Sequence, residues 1–315
     1  MTRFLVTGGA GFIGSNLVKQ LVEEGYREVR VIDNLSTGKS ENLAPVLDRI
    51  DFQLGDIREM DFVQKQSRDA EIVFHQAALS SVEQSIKDPV STDESNIKGT
   101  LNVLLAARDS HVKRVVYSSS ASVYGDSPAL PKHEEMPVDV LSPYALSKYV
   151  GERYCQLFYQ LYGLETVCLR YFNVFGPNQD AGSQYAAVIP RFISSILNGK
   201  PITIFGDGEQ TRDFAYVENV VAANLLAVTS EDVIGETFNI ACGERISVNR
   251  LAEHLMDVLR RKVPVVHESP RPGEVKHSLA DITKATERLG YSPSVDVWEG
   301  LRRSASWAES VQGDP

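Results

Sequence analysis

Phe4-Leu5-Val6-Thr7 runs directly into Gly8-Gly9-Ala10-Gly11-Phe12-Ile13-Gly14. A short apolar strand meets glycines at positions 8, 11 and 14, and a helical pattern follows. This order predicts the first strand–turn–helix corner of a nucleotide-binding parallel sheet. Gly8 allows the tight turn. Gly11 lets the backbone approach a pyrophosphate, and Gly14 lets the helix pack closely on the strand. Phe12 and Ile13 open the helix, where unpaired N–H groups face the anion. With this corner at residue 4, the residues that do chemistry are expected downstream.

The context agrees with the glycines. Leu17, Val18, Leu21 and Val22 recur at helical spacing, and Gly25 ends the run. Val29, Val31 and Ile32 read as a second strand with Asp33 at its end. A carboxylate there holds adenosine ribose hydroxyls and repels a 2′-phosphate, which favours NAD over NADP. A generic corner with an exposed Asp is the rival reading.

Alternating strand and helix patterns continue. Ile50 to Leu54 reads as a third strand ending at Gly55-Asp56-Ile57, and Glu71 to His75 as a fourth. Ile97, Leu101, Leu104 and Leu105 line one face of a predicted long helix before the strand Arg114 to Tyr117. The expected fold is α/β: a Rossmann-type doubly wound parallel sheet with a smaller, interleaved α/β substrate domain. The NAD-binding domain is expected over 1–175 with returns at about 212–241. The second is expected over 176–211 and about 242–311, with helices at Val188 to Leu197, Val220 to Val228 and Leu251 to Leu259. Glu309 to Pro315 carries no packing signal and is expected to fray. Asp56 reads either as a partner for the adenine amino group or as a helix cap.

Composition narrows the function. The formal charge of -10 over 315 residues argues against a nucleic-acid partner. No long apolar run predicts a membrane span, and no leader pattern is visible. Cys155, Cys168 and Cys242 form no C-x-x-C and read as buried thiols of a reducing, cytoplasmic compartment. The six histidines show no ligand spacing, so no metal site is expected.

Ser118-Ser119-Ser120 follows the apolar strand, placing hydroxyls at its carboxyl end. Pro143 suits the first turn of a helix that carries Tyr144 and Lys148 four residues apart on one face. That face continues through Gly151, Glu152, Cys155 and Tyr159. A free phenol has pKa about 10 and is a poor base near neutrality; lowering it to about 7 takes roughly 4 kcal/mol. A neighbouring ammonium and a positive nicotinamide ring both act in that direction. Lys148 also suits the nicotinamide ribose, and a serine hydroxyl suits a substrate oxygen that alternates between alcohol and carbonyl. The rivals are a surface helix with a snorkelling lysine and a small-residue turn at Ser120.

The Thr7 to Gly14 opening, the serine run and Tyr144-x-x-x-Lys148 resemble the extended short-chain dehydrogenase/reductase family. Ser118 to Gly125 and Arg170-Tyr171-Phe172-Asn173-Val174-Phe175-Gly176 are similar to its nucleotide-sugar 4-epimerases. The resemblance spans nearly the whole chain. It implies a tightly held NAD and a UDP-sugar oxidised to a 4-keto intermediate and reduced on its other face. Catalysis is then implied for Ser120, Tyr144 and Lys148. Cofactor contacts are implied for Asp33, Asn34, Asp56, Ile57, Gln76, Ser118, Tyr144, Lys148 and Tyr171, beside the glycine turn. A homodimer built from the helices around Ser95 to Ala107 and Tyr144 to Leu161 is implied too. The dehydratases and decarboxylases of the family are the alternative. They place an acid after the catalytic Ser or Thr, whereas Ala121-Ser122 carries none. A non-enzymatic nucleotide sensor is a third reading, disfavoured by the retained Tyr144 and Lys148.

The same resemblance assigns the sugar-nucleotide pocket. Arg212 and Arg271 are implied at the diphosphate, Glu274 at the uridine ribose, and Asn173 at the substrate. By residue type alone, the arginines read equally as surface charge and Asn173 as a turn cap. Tyr185-Ala186-Ala187-Val188 departs from the pattern of many galactose-type enzymes and resembles epimerases of N-acetylated sugars. Ser278 falls where family members limit pocket size, and a serine leaves room for an acetamido group. A turn-capping role is its rival. The expected activity is interconversion of UDP-N-acetylglucosamine and UDP-N-acetylgalactosamine, with the plain UDP-hexoses as further substrates.

Overall fold

The computed structural model describes residues 2–182, 187–269 and 276–312. The strands are β1 (Phe4–Thr7), β2 (Val29–Asp33), β3 (Asp51–Leu54), β4 (Ile72–His75), β5 (Arg114–Ser120) and β6 (Glu165–Tyr171). They continue as β7 (Asn173–Phe175), β8 (Ile202–Phe205), β9 (Thr211–Tyr216), β10 (Thr237–Ile240), β11 (Arg245–Ser247) and β12 (Val265–Glu268). The helices are α1 (Phe12–Glu23), α2 (Met60–Ser67), α3 (Val82–Lys87), α4 (Pro89–Asp93) and α5 (Gly99–Asp109). After them come α6 (Pro143–Tyr162), α7 (Val188–Leu197), α8 (Val217–Thr229), α9 (Val248–Val258) and α10 (Val297–Gln312).

Seven strands form one parallel sheet in the order β10-β6-β5-β4-β1-β2-β3. The strand order reverses beside β1, and the carboxyl ends of β1 and β4 open a crevice there. The inner strands are apolar on both faces because helices cover both: Val6, Val73, Val115 and Val167 are all inaccessible. Leu17, Val18, Leu21 and Val22 of α1 bury their stripe against the sheet, as their spacing predicts. The smaller elements are a three-stranded sheet, β11-β9-β7, and the pair β12-β8. Of the segment expected to return at 212–241, β10 joins the large sheet, whereas β9 pairs with β7 and β11.

Two local expectations need correction. The helix predicted through Ile97 and Leu105 passes through a π-turn at Glu94–Lys98 before α5. Of its stripe only Leu104 is fully buried, and the turn directs the buried amide of Asn96 inward instead. The tail expected to fray from Glu309 remains helical to Gln312: Glu309, Ser310 and Val311 are exposed, and the backbone extends a helix anchored upstream by Leu301 and Ala305. Among the described residues, no helix is long and apolar enough to cross a membrane.

Candidate active site

The crevice begins at the glycine turn. Gly8 has φ +68°, and a Cβ there would stand 2.6 Å from the Ala77 backbone. A Cβ at Gly14 would stand 2.2 Å from the Gly8 carbonyl oxygen, so helix α1 reaches β1 only through glycine. At Gly11 a Cβ would meet only that same oxygen, at 3.2 Å, and its other side faces the cleft. No side chain caps α1, and Phe12, Ile13 and Gly14 present its first turn to the cleft. A pyrophosphate fits this cradle on charge and on space.

Asp33 closes the far side. Its carboxylate accepts from the Ala10 N–H (2.9 Å) and the Leu35 N–H (2.8 Å). Burial pushes this carboxyl above its ordinary value, against backbone N–H groups that favour the anion. Each oxygen keeps a lone pair for a ribose hydroxyl. The residues present therefore fit a dinucleotide. Asn34 and Ile57 line the cleft beyond Asp33. Asp56 is turned to other partners: Arg58 binds its carboxylate at 2.8 Å and Asn34 donates to it at 2.8 Å. Burial would raise that carboxyl, but the Arg58 guanidinium holds it at about 2. Asp56 accepts the Arg58 N–H at 2.8 Å, whereas the cap of α2 is Glu59. The helix-cap reading of Asp56 is thus replaced by a turn within the loop.

Gln76 and Tyr171 line the cleft together. The Gln76 amide donates to the Tyr171 hydroxyl (3.2 Å) and to Asn224 Oδ1 (3.0 Å), and Asn224 also bonds Tyr171 (2.8 Å). Asn224 reaches this cluster from α8, about fifty residues past Tyr171, and nothing local in the sequence marks it. His75, at the end of β4, is also unmarked. It is buried between Thr7 Oγ1 (2.7 Å) and Thr100 Oγ1 (2.9 Å), and burial together with the nearby Lys148 pulls it down to about 3. Ser36, Thr37 and the stretch of backbone that carries Ala77 to Ser80 also border the cleft. The buried Asn96 holds that backbone at Leu79 in both directions, 2.8 Å and 3.0 Å.

The serine strand and α6 meet beside this cleft. Ser142 caps α6 by accepting from the Ala145 N–H at 3.1 Å, and Pro143 opens it. A Cβ at Gly151 would overlap the Tyr117 hydroxyl, so α6 lies unusually close to β5. Lys148 is 4% exposed and donates to the Ser118 carbonyl oxygen at 2.8 Å; burial lowers its ammonium to about 8. Its nitrogen is 6.0 Å from the Tyr144 ring centroid. Burial raises the half-buried Tyr144 phenol above 10, and the Ser120 hydroxyl beside it acts in the opposite direction. Desolvation is thus the larger influence on this phenol, and the depression expected from the ammonium together with the nicotinamide ring concerns the site with its cofactor bound. Ser118 donates to the His75 carbonyl (3.0 Å), and Ser120 Oγ accepts from the Ser122 N–H (3.2 Å). Ser120 thus caps a short turn and still retains its hydroxyl hydrogen as a donor.

Asn173 lies exposed on β7, in register with Phe214 of β9, two residues past Arg212. Arg212 donates to the carbonyls of Thr211 (2.9 Å) and Lys276 (3.2 Å), and the Ser278 N–H donates to the Thr211 carbonyl (3.0 Å). Arg212 and Ser278 are thus held together, and among the described residues the Ser278 hydroxyl caps no turn. The inaccessible Asp213 secures this wall by accepting from the N–H groups of Cys242, Gly243 and Ala280. Burial drives its carboxyl up to about 7 against those three donors. Val188, half-buried, is the first residue of α7. Arg271, Glu274, Tyr185 and Ala186 lie outside the described residues. Cys155 and Cys168 are buried as expected, whereas Cys242 is half-buried.

Sheet order, glycine cradle and Tyr–Lys helix together define a dinucleotide-dependent α/β enzyme. Residues 4–241 match the model of the NAD dependent epimerase/dehydratase family. A solved UDP-N-acetylglucosamine 4-epimerase from Methanobrevibacter ruminantium, in complex with UDP-N-acetylmuramic acid, superposes with a TM-score of 0.94 at 42% identity. The match covers 98% of this chain and 99% of that one. The UDP-glucose 4-epimerase of Thermotoga maritima, solved with UDP-glucose, gives 0.94 at 38% identity over 99% and 100% of the two chains. The UDP-glucose 4-epimerase of Mycolicibacterium smegmatis is 38% identical over 97% of this chain and 98% of its own. The chain belongs to the NAD dependent epimerase/dehydratase family, within the extended short-chain dehydrogenases/reductases, and NAD is its cofactor.

Proposed function

We propose that this protein is a 4-epimerase interconverting UDP-N-acetylglucosamine and UDP-N-acetylgalactosamine, with UDP-glucose and UDP-galactose as further substrates. The observation that carries this reading is the meeting of Tyr144, Lys148 and Ser120 beside the glycine cradle. When bound, NAD supplies a site that takes a hydride from the sugar and gives it back. Tyr144 takes the proton of the sugar 4-hydroxyl and returns it when the other face is reduced. Ser120 donates its hydrogen to that oxygen as it becomes a carbonyl. Lys148, held by the Ser118 carbonyl, supplies the fixed positive charge that favours phenolate. Gly8 to Gly14 bind the pyrophosphate and Asp33 the adenosine ribose, while Arg212 and Arg271 take the sugar-nucleotide diphosphate.

The N-acetylated substrate is favoured by the small side chain at Ser278 and by the 42% identical epimerase of N-acetylglucosamine. A dehydratase or decarboxylase needs an acid near the sugar ring, and Ala121-Ser122 supplies none beside Ser120. A homodimer fits as well: Leu146, Leu157 and Leu161 on α6, with Ile86 and Val90 beside it, are exposed. The test is incubation of the purified protein with UDP-N-acetylglucosamine and no added cofactor. An epimer of unchanged mass is expected, with nicotinamide nucleotide released on denaturation. A product lighter by water or carbon dioxide would assign the protein to the other branch of the family. Sedimentation at micromolar protein should give a dimer mass.

A further inference from the structure

One turn beyond Lys148, α6 carries a carboxylate whose placement the chemistry above leaves unused. Glu152 is 1% exposed. Its Oε1 accepts from the Arg170 Nε at 2.8 Å and from the Ser119 hydroxyl, and its Oε2 accepts from the Arg170 Nη2 at 2.8 Å. Arg170 lies on β6 directly in register with Ser119 of β5. Its guanidinium covers the Tyr124 ring at 4.8 Å, and Tyr124 in turn donates to Asn239 of β10 at 2.6 Å. A bidentate buried pair of this kind gives up the hydration of both ions, so stability alone is weak grounds for having it. What distinguishes this pair is what adjoins it. Ser119 is flanked by Ser118, whose carbonyl holds the Lys148 ammonium, and by Ser120 beside Tyr144.

We propose that Glu152, held by Arg170, is a positioning residue that keeps Lys148 cationic and, through Ser119, fixes the seat of Ser118 and Ser120. The inference rests on the reading of Tyr144, Lys148 and Ser120 as the catalytic set. Lys148 and Glu152 are four apart on one helix face, the spacing at which opposite charges attract. The ionisable groups around Lys148 are Glu152 and Tyr144 from α6, Tyr117 from β5 and His75 from β4. Of these, Glu152 is the one that opposes the loss of charge caused by burial. Ser119 then couples the same carboxylate to the strand end, so charge and geometry are set by one group.

The test reads the Lys148 ammonium directly, by NMR titration of lysine labelled at Cε in the holoenzyme, with Lys148→Met identifying the resonance. In Glu152→Gln, Lys148 should titrate roughly one pH unit or more lower than in the parent protein. The descending alkaline limb of kcat should move with it. Glu152→Asp, which retains the charge, should keep the titration close to the parent value even where kcat falls. An unchanged Lys148 titration in folded Glu152→Gln overturns the proposal, whatever sugar the enzyme prefers. Failure of the epimerase reading would instead appear as absent epimer with the titration shifted as expected. If Glu152→Gln does not fold, Ser119→Ala decides, because it leaves both charges in place and removes only the tether. It should lower kcat several-fold with KM nearly unchanged, and parent-like kcat would overturn the proposal.

Discussion

A Cβ placed on Gly151 would fall 2.1 Å from the hydroxyl oxygen of Tyr117, so α6 and β5 meet at a separation that only glycine permits. Tyr117 is 1% exposed and cannot swing aside. Its hydroxyl also lies 3.4 Å from the Lys148 carbonyl oxygen, within the same helix turn. Gly151→Ala therefore pushes the helix carrying Tyr144 and Lys148 away from the serine strand. Overpacking of this kind costs about 1–3 kcal/mol, more than the ~1 kcal/mol that alanine gains in a helix. Thermal unfolding should show a lower Tm, and kcat/KM should fall at least about tenfold. Parent-like values for both would mean that the helix has slack.

Tyr144→Phe removes the proton carrier and leaves the ring. A fall in kcat of roughly 10²- to 10⁴-fold is expected, since general acid–base groups contribute on that scale. Nicotinamide content per protein should stay at the parent level, because the cradle is untouched. Rapid turnover by this variant would require a different base.

Ser278→Tyr should discriminate between sugars. Ser278 is anchored through its N–H to Thr211, beside Arg212, so a larger side chain cannot leave by moving the backbone. Filling the space costs about 1–3 kcal/mol against the acetamido group, a ten- to hundredfold loss in kcat/KM on the N-acetylated pair. The plain UDP-hexoses should lose much less. Equal losses on all four substrates would reassign Ser278 to a purely structural role.

His75 makes the folded state sensitive to acid. It takes up a proton near 6.5 when unfolded but, buried beside Lys148, only near 3 when folded. Between those values the unfolded chain binds more protons, so stability rises with pH. The contribution is complete above about 6.5 and is lost as pH falls through the window, at up to about 1.4 kcal/mol per pH unit. His75→Gln removes this dependence. Urea midpoints of the two proteins from pH 7.5 to 5 should converge as the pH drops; parallel curves would contradict the assignment.

The corner around Gly8, Gly11, Gly14 and Asp33 was legible because a dinucleotide cradle needs a fixed local spacing, and that spacing survives in one dimension. Tyr144 and Lys148 were legible for the same reason, through helix periodicity. Asn224, Asn96 and His75 were not. Each acts across a large sequence separation, and only the packed sheet brings it to its partners. Asp56 was read in two ways, and only the helix cap is set aside: its carboxylate accepts the Arg58 N–H and guanidinium, while Glu59 stands at the cap of α2. Glu152 was visible as part of a helix face, but its role depends on Arg170 arriving from β6, which no spacing within α6 reveals. The π-turn at Glu94–Lys98 left no sequence mark because it preserves the apolar run and changes only its phase.

The position of β10 bears on how the chain is made. Strand β6 finds its outer neighbour only at Thr237–Ile240, so the large sheet stays open along β6 until 240 of 315 residues have been synthesised. An open strand edge is a template for pairing with other chains. During that interval a nascent molecule carries a nearly finished nucleotide cradle next to an adhesive border. Truncations that spare the cradle but end before residue 237 should accordingly be recovered as aggregates, and the interleaving of the two parts delays closure of the first until the opening segment of the second has been translated.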